Sequence, residues 1–397
     1  MRILFTFAGG SGHFHPLVPI ARAAEVAGHV VAVGCRSSMV SVVEAEGFTA
    51  FVTQVEQGGA PVRRPLLELD ADREERDLRD GFADQMARVR ATGVLDLCAT
   101  WQPDLLVCDE ADYGAVVAAE RLGLPYATVL VLVAGSFARR ELLADTLNRL
   151  RADHDLPPDP ELTMLSRHLV LSPGPASFRD PAYPLPATAH SLRPLLPAPS
   201  DDDGRIVDWL NRRTDRPKVY FTLGTVFNLE SGDLFTRILT GVRELDVDLL
   251  VTVGPHIDPE EFGPQPENVR IERYVPQASI LPYCDLVVSH GGSGSVLGAL
   301  AHGVPMVLVP MGADQPSNAV RCADLGVAQV LDAVRVTPEQ AGTAVAAVLA
   351  DPAYRQAAAV VQAEIADLPG PEYAVTLLER LSAEHGPVRV AGESAAG

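Results

Sequence analysis

The sequence predicts an α/β protein of two doubly wound parallel-sheet domains facing each other across a cleft. Three observations carry this. Apolar runs of strand length alternate with segments of helical spacing through both halves of the chain, and that alternation implies parallel sheets with helices on both faces. Each half places a glycine-rich turn directly after a strand, Gly9-Gly10-Ser11-Gly12 in the first and Gly291-Gly292-Ser293-Gly294 in the second. At 397 residues the chain has room for two domains of ordinary size.

Taken in order, Ile3–Phe7 reads as a strand, Pro16–Ala27 as a helix and Val30–Gly34 as a strand. Asp70–Arg90 has mixed charge and reads as a mobile, solvated helix. Leu105–Cys108 is the next strand, then the helix Tyr113–Leu122 and the strand Tyr126–Val133. Arg151–Ser200 is proline-rich with little periodicity and reads as loops, closing on a linker around 194–205. A second series begins with the strand Lys218–Leu223 and the helix Asp233–Leu245, followed by strands at Asp248–Val253 and Val269–Glu272. Leu286–Val288 is a short buried-type strand, Val296–His302 a helix stopped by Gly303, and Val304–Pro310 the next strand. The strand Ala328–Leu331 and helices at Pro338–Ala350 and Glu372–Glu384 complete the series. The resulting division is a first domain over 1–200, a linker over 201–217, a second domain over 218–370, a final helix over 371–385 and a disordered tail over 386–397.

Composition excludes several classes. Hydrophobic residues make up 47%, enough for large cores. With 52 acids against 32 bases and a net charge of −20, nucleic acid and anionic membrane are poor partners. The N-terminus MRILFTFAGG is a first strand rather than a signal peptide, and the longest apolar run is too short to span a bilayer. The 5 cysteines, Cys35, Cys98, Cys108, Cys284 and Cys322, show no metal-type spacing. These features suit a soluble cytoplasmic protein, monomer or homodimer, with no metal and no resident cofactor.

The chemistry concentrates in Asp285–Gln315. A glycine-rich turn opening a helix presents free N–H groups and the positive end of a helix dipole, which suits phosphate. His290 at its rim adds a donor. Gly292, Ser293, Gly294 and Ser295 supply N–H groups, and Ser295 a hydroxyl. Asp314 and Gln315 follow the next strand at the same carboxyl edge, where open α/β sheets bind ligands; an acid and an amide there suit sugar hydroxyls. A helix cap is the competing role for Asp314. Gly224-Thr225 follows the first strand of the second domain and suits a plain turn. Tyr274 either stacks on a nucleobase, with the Val275 backbone reading the base edge, or fills core.

In the first domain His13 is the candidate general base, because imidazole titrates near neutrality and takes a proton from an alcohol or phenol at little cost. Capping the following helix is its alternative role; His15 reads as structural. A carboxylate on the other ring nitrogen would fix the tautomer. Asp109 ends a strand at the same edge, with Glu110 and Asp112 as neighbours. Asp112 suits the cap of the helix beginning at Tyr113, which leaves Asp109 for the histidine. Phe82, Met86, Tyr113 and Phe137 are candidate acceptor-lining residues, each of which could equally be core.

His290, Gly292, Ser295 and the pair Asp314-Gln315, preceded by Tyr274-Val275-Pro276-Gln277, resemble the donor signature of family 1 glycosyltransferases. Gly12-His13 with Pro16 resembles that family's base motif, and Asp109 stands where its partner aspartate stands. Gly224-Thr225 resembles the family's Gly-Ser/Thr turn, which implies the alternative to a plain turn, a Thr225 hydroxyl on phosphate. The likeness spans nearly the whole chain and is strongest to actinobacterial natural-product enzymes. It implies the GT-B architecture of two Rossmann-like domains, a final helix crossing back onto the first, and inverting, metal-independent transfer from a nucleotide sugar to a hydroxyl of a small hydrophobic acceptor. Domain closure would exclude water. One position departs from the pattern. Relatives that use UDP-sugars often carry glutamate three residues after the signature serine, and this chain has Gly298. No carboxylate is then available for a ribose 2′-hydroxyl, which favours a dTDP-sugar over a UDP-sugar. A nucleotide-sugar 2-epimerase, an inert nucleotide-sugar-binding partner and a lipid-acting transferase are the alternatives. The first is disfavoured by the motif set, the second by the presence of His13 and Asp109, and the third by the acidic balance.

Overall fold

The computed structural model describes residues 1–56, 62–195, 204–211, 215–225 and 227–390. The chain divides into two compact units. The first gathers residues from 1–59, 71–195 and 368–397, and the second residues from 60–70 and 196–367.

The first unit holds seven parallel strands: β1 (Arg2–Thr6), β2 (Val30–Arg36), β3 (Ala50–Gln54), β4 (Leu105–Asp109), β5 (Tyr126–Val129), β6 (Leu169–Pro173) and β7 (Ala189–Leu192), in the order β3-β2-β1-β4-β5-β6-β7. The second holds six: β8 (Lys218–Thr222), β9 (Asp248–Thr252), β10 (Val269–Glu272), β11 (Leu286–Ser289), β12 (Met306–Leu308) and β13 (Ala328–Val330), in the order β10-β9-β8-β11-β12-β13. Every neighbouring pair is parallel. The central strands read as unbroken apolar runs because helices cover both faces. Leu105–Asp109 is buried at every position.

In each sheet the chain steps outward from one strand and then returns to that strand's other side. This leaves a switch point between β1 and β4, and another between β8 and β11. Ligand crevices of doubly wound sheets open there, at the carboxyl ends. The loops singled out by sequence follow β1 and β11.

The first unit's core lies on both sheet faces. One side packs Ile3, Phe5, Val107 and Val129 against helix residues Ile20 and Leu378. The helix Pro371–Glu384 belongs to this unit through Ala374, Val375, Leu378 and Leu381. In the second unit Phe221, Val251 and Val288 pack on Ile238 and Val345. Residues 62–70 also belong to the second unit: Leu66 packs on this core, Arg64 N–H donates to Leu229 O at 2.7 Å, and Arg63 makes a two-pronged pair with Glu261 at 2.7 and 2.6 Å.

Several expectations need correction. The region 151–200 contains β6 and β7, and the helix Arg140–Asp153 runs into its start. β6 has an apolar run of only three residues, Leu169–Leu171, and β7 (Ala-His-Ser-Leu) has none, so neither shows a period between the prolines. The strand expected over Tyr126–Val133 ends at Val129, where the chain turns into a loop. Ala71–Trp101 is one helical stretch with π pitch over Asp77–Met86; it buries Leu78, Ala83 and Ala87, so it is packed rather than solvated. Within the expected linker lies the helix Gly204–Asn211, while 196–203 and 212–214 are outside the described residues. The tail is ordered to Val390. Val388 is fully buried, and its N–H donates to His168 O at 2.8 Å. Residues 391–397 lie outside the described residues.

Candidate functional site

His13 and Asp109 meet at the first switch point. β1 ends at Thr6, and the turn Gly9-Gly10 leads into the single helical turn Ser11–Phe14 that carries His13. A Cβ on Gly9 would lie 2.0 Å from His13 Cδ2, so only glycine lets the ring take this position. Asp109 is fully buried, and its Oδ1 stands 3.3 Å from His13 Nδ1. Its carboxylate also accepts from Ala8 N–H at 2.7 Å and Ala111 N–H at 2.6 Å. Two backbone donors therefore fix the carboxylate that faces the imidazole. The imidazole itself is 21% exposed, enough for a substrate hydroxyl to reach it.

Asp112 does cap the helix Tyr113–Leu122, accepting from Ala115 N–H at 3.3 Å. It carries a second load that the sequence did not reveal. Arg90, fully buried on the preceding helix, grips both Asp112 oxygens, donating from Nε to Oδ1 at 3.0 Å, and donates to Thr53 Oγ1 at 2.8 Å.

Of the acceptor candidates, Phe82 lies nearly parallel to the His13 ring, with centroids 6.0 Å apart. Met86 is partly exposed at the end of the same π-helical stretch. Phe137 packs against the core cluster of this unit. Tyr113, at 1% exposure, takes the core role of the two it was given: it packs within this unit's core cluster at the start of the helix that Asp112 caps.

The second site is built at the other switch point. His290 follows β11 and lies between two glycines. Cβ atoms on Gly224 and Gly292 would stand 2.7 and 2.5 Å from its Nε2. Gly224 has φ +75°, so it is required for its backbone as well as for space. Burial pushes His290 down to about 4, so its imidazole is neutral near pH 7. Its Nδ1 is buried and makes no hydrogen bond. The helix Ser293–Ala301 starts at Gly292 without a side-chain cap, so the N–H groups of Ser293, Gly294 and Ser295 stand at its positive end.

Asp314 does occupy the position before the helix Gln315–Asp324, but its side chain makes no cap bond. It accepts instead from Ser293 Oγ at 2.6 Å and from Asn318 Nδ2 at 2.8 Å. Asn318 also donates to Gly291 O at 3.0 Å, clamping the glycine loop to the next helix. Gln277 Nε2 donates to Ser295 Oγ at 3.2 Å, which ties the Tyr-Val-Pro-Gln segment to the loop. Sequence reasoning named neither Asn318 nor Gln277 as a site residue. Gln277 lay within a quoted motif, and Asn318 carried no signal beyond its place one helical turn after Asp314. Gln315 is 2% exposed, and its Oε1 accepts from Met311 N–H at 2.8 Å. Val275 is buried, Tyr274 is 56% exposed beside it, and Thr225 is exposed. Among the described residues no cluster of three or more His, Cys, Asp or Glu is placed to hold a metal ion, and no helix is long and apolar enough to cross a membrane.

Two parallel-sheet units, one with an imidazole–carboxylate pair and the other with a glycine-loop anion site, suit a nucleotide-dependent group transferase. Comparison with known proteins gives the class. The C-terminal domain family described as erythromycin biosynthesis protein CIII-like matches residues 236–381. Tylactone mycaminosyltransferase of Streptomyces fradiae is 28% identical, over 97% of this chain and 93% of its own. The 10-deoxymethynolide desosaminyltransferase of Streptomyces venezuelae is 28% identical, over 97% and 98%. The crystal structure of the glycosyltransferase VinC in complex with dTDP superposes with a TM-score of 0.74 at 26% identity, covering 96% of this chain and all of that one. The chain is a glycosyltransferase of the GT-B fold. It resembles, over nearly its whole length, the actinobacterial glycosyltransferases of antibiotic biosynthesis.

Proposed function

We propose that this enzyme is an inverting glycosyltransferase. It moves a sugar from a nucleoside diphosphate, dTDP in preference to UDP, to a hydroxyl of a small hydrophobic natural-product acceptor. The observation that carries the reading is the His13–Asp109 pair at the β1/β4 switch point. His13 removes the acceptor proton, and Asp109 stabilises the imidazolium that forms. The acceptor oxygen attacks the anomeric carbon from the face opposite the leaving diphosphate, so configuration inverts. His290, neutral and placed between two glycines, donates to the diphosphate together with the N–H groups of Ser293, Gly294 and Ser295. Asp314 and Gln315 face the sugar, Thr225 adds a hydroxyl to the phosphates, and Tyr274 with the Val275 backbone takes the base. Phe82, Met86 and Phe137 line the acceptor side.

The donor preference is supported by Gly298, which offers no carboxylate to a 2′-hydroxyl, and by the dTDP bound to VinC. The acceptor class is supported by relatives named for transfer to tylactone and 10-deoxymethynolide.

The test is mass spectrometry of purified protein with a panel of polyketide and phenolic acceptors, offering dTDP-sugars and UDP-sugars separately, with chelator throughout. A glycoside formed from a dTDP-sugar, with inverted anomeric configuration by NMR, is expected. His13→Ala should lower turnover roughly 10²–10⁴-fold with nucleotide affinity retained. Donor isomerised without acceptor would overturn the reading in favour of an epimerase.

A further inference from the structure

We propose that Glu110 and Arg179 form a positioning pair that fixes the loop after β5 as one wall of the acceptor site. The inference rests on the transferase reading above and concerns residues outside its base pair.

The argument starts from strand order. β4 lies between β1 and β5, so the loops that leave these three strands are neighbours at the carboxyl edge. Two consecutive carboxylates, the last residue of β4 and the one after it, serve opposite sides. Asp109 takes Ala8 N–H and faces His13, both after β1. Glu110 takes two successive amides after β5: its Oε1 accepts from Val131 N–H at 2.6 Å and Leu132 N–H at 2.5 Å. One carboxylate oxygen thus satisfies two adjacent donors of a loop that the sheet has released.

Arg179 holds the same loop by its carbonyls. Its Nη1 lies 3.4 Å from both Leu132 O and Val133 O, and its Nε donates to Tyr183 O at 2.9 Å. Asp180 N–H donates to Ala134 O at 2.9 Å. A Cβ on Gly135, at φ +85°, would lie 2.0 Å from the Arg179 guanidinium carbon, so the loop is shaped to admit this side chain. An acid takes the amides of Val131 and Leu132, and an arginine the carbonyls of Leu132 and Val133. A connecting loop of a sheet does not need such a clamp for its own sake. This loop leaves a strand one removed from β1, whose loop carries His13, and Val133 is its partly exposed residue, so a clamp here holds a face at the same carboxyl edge as the base pair.

The charged groups facing Glu110 are Arg179 and Asp109, with the neutral phenol of Tyr113 near it and Asp180 beside Arg179. Burial pushes the Glu110 carboxyl up to about 7, against the opposing pull of Arg179 and the two amides. Above that pH it is the charged acceptor of the loop amides; below it, the clamp loses its charge.

The experiment compares wild type with Glu110→Ala and Glu110→Gln. The readouts are acceptor KM and kcat at saturating donor, and dTDP affinity by calorimetry. Glu110→Ala should raise acceptor KM roughly tenfold, with kcat changed less than about threefold and dTDP affinity unchanged. Wild-type acceptor KM should rise as pH falls from 8 to 6, and Glu110→Gln, which folds with the same shape, should make it flat over that range. An acceptor KM within twofold of wild type in Glu110→Ala, or an unaltered pH dependence in Glu110→Gln, overturns the proposal. If Glu110→Ala does not fold, Glu110→Gln decides alone. If wild type transfers no sugar at all, the transferase reading has failed by itself. Amide hydrogen exchange at Val131 and Leu132 then judges the clamp: faster exchange in Glu110→Gln supports it and unchanged exchange overturns it.

Discussion

Replacing Asp109 by Asn separates a structural carboxylate from a catalytic one. Both carboxylate oxygens accept backbone N–H groups, Oδ1 from Ala111 and Oδ2 from Ala8. Whichever way an Asn side chain turns, its NH₂ group must face a buried N–H donor. One strong bond is lost and one amide is left unsatisfied in a fully buried place. Bonds to charged groups contribute about 1.5–3 kcal/mol each, so the substitution should cost on the order of 3 kcal/mol. For a unit of this size that lowers its melting temperature by roughly 6–12 °C. The same change removes the negative charge 3.3 Å from His13 Nδ1. An amide there gives no stabilisation to the imidazolium and lets the ring choose the wrong tautomer. Turnover at a temperature well below the melt should therefore fall about 10²–10⁴-fold, with dTDP affinity unchanged. Calorimetric melting and steady-state transfer on one preparation read both effects. A lowered melting temperature with kcat within threefold of wild type would refute the base pair and leave Asp109 as a brace for the loops.

Other perturbations follow from the same geometry. Arg90→Met strands the Asp112 carboxylate in the core and should destabilise by about 3–5 kcal/mol, whereas Arg90→Met with Asp112→Asn, which keeps a helix cap, should recover most of it; denaturant unfolding of the two variants checks this. Gly292 sits at φ −63°, ψ 144°, a conformation alanine adopts freely, so Gly292→Ala acts only through the clash with His290. It should weaken dTDP binding about tenfold or more in calorimetry, with little loss of stability. Because His290 is depressed to about 4, it takes no proton in the fold as pH falls from 7 to 5, while the unfolded chain protonates near 6.5. Its contribution is thus present above pH 6.5 and lost progressively as pH falls from 6.5 to 4, on the order of 3 kcal/mol in all. His290→Asn should flatten that part of the stability profile, as melting at pH 7 and 4.5 would show.

The sequence by itself determined which segments alternate, and hence two parallel sheets. It also placed a glycine turn after a strand in each half and assigned the helix cap to Asp112 rather than Asp109. These are local matters: apolar runs, turn chemistry and capping are decided by neighbours in the chain. The order of strands was not local, and with it came the rest of the site. Only the return of the chain to the far side of β1 and of β8 sets Asp109 against His13 and His290 against Gly224. Short strands such as β6 and β7 gain their stability from pairing, so no period announced them. Asn318 and Arg90 became legible only when the fold showed what each one touches. A polar side chain carries no periodic signal for its partner, and burial decides whether the pair is a brace or an ordinary surface contact.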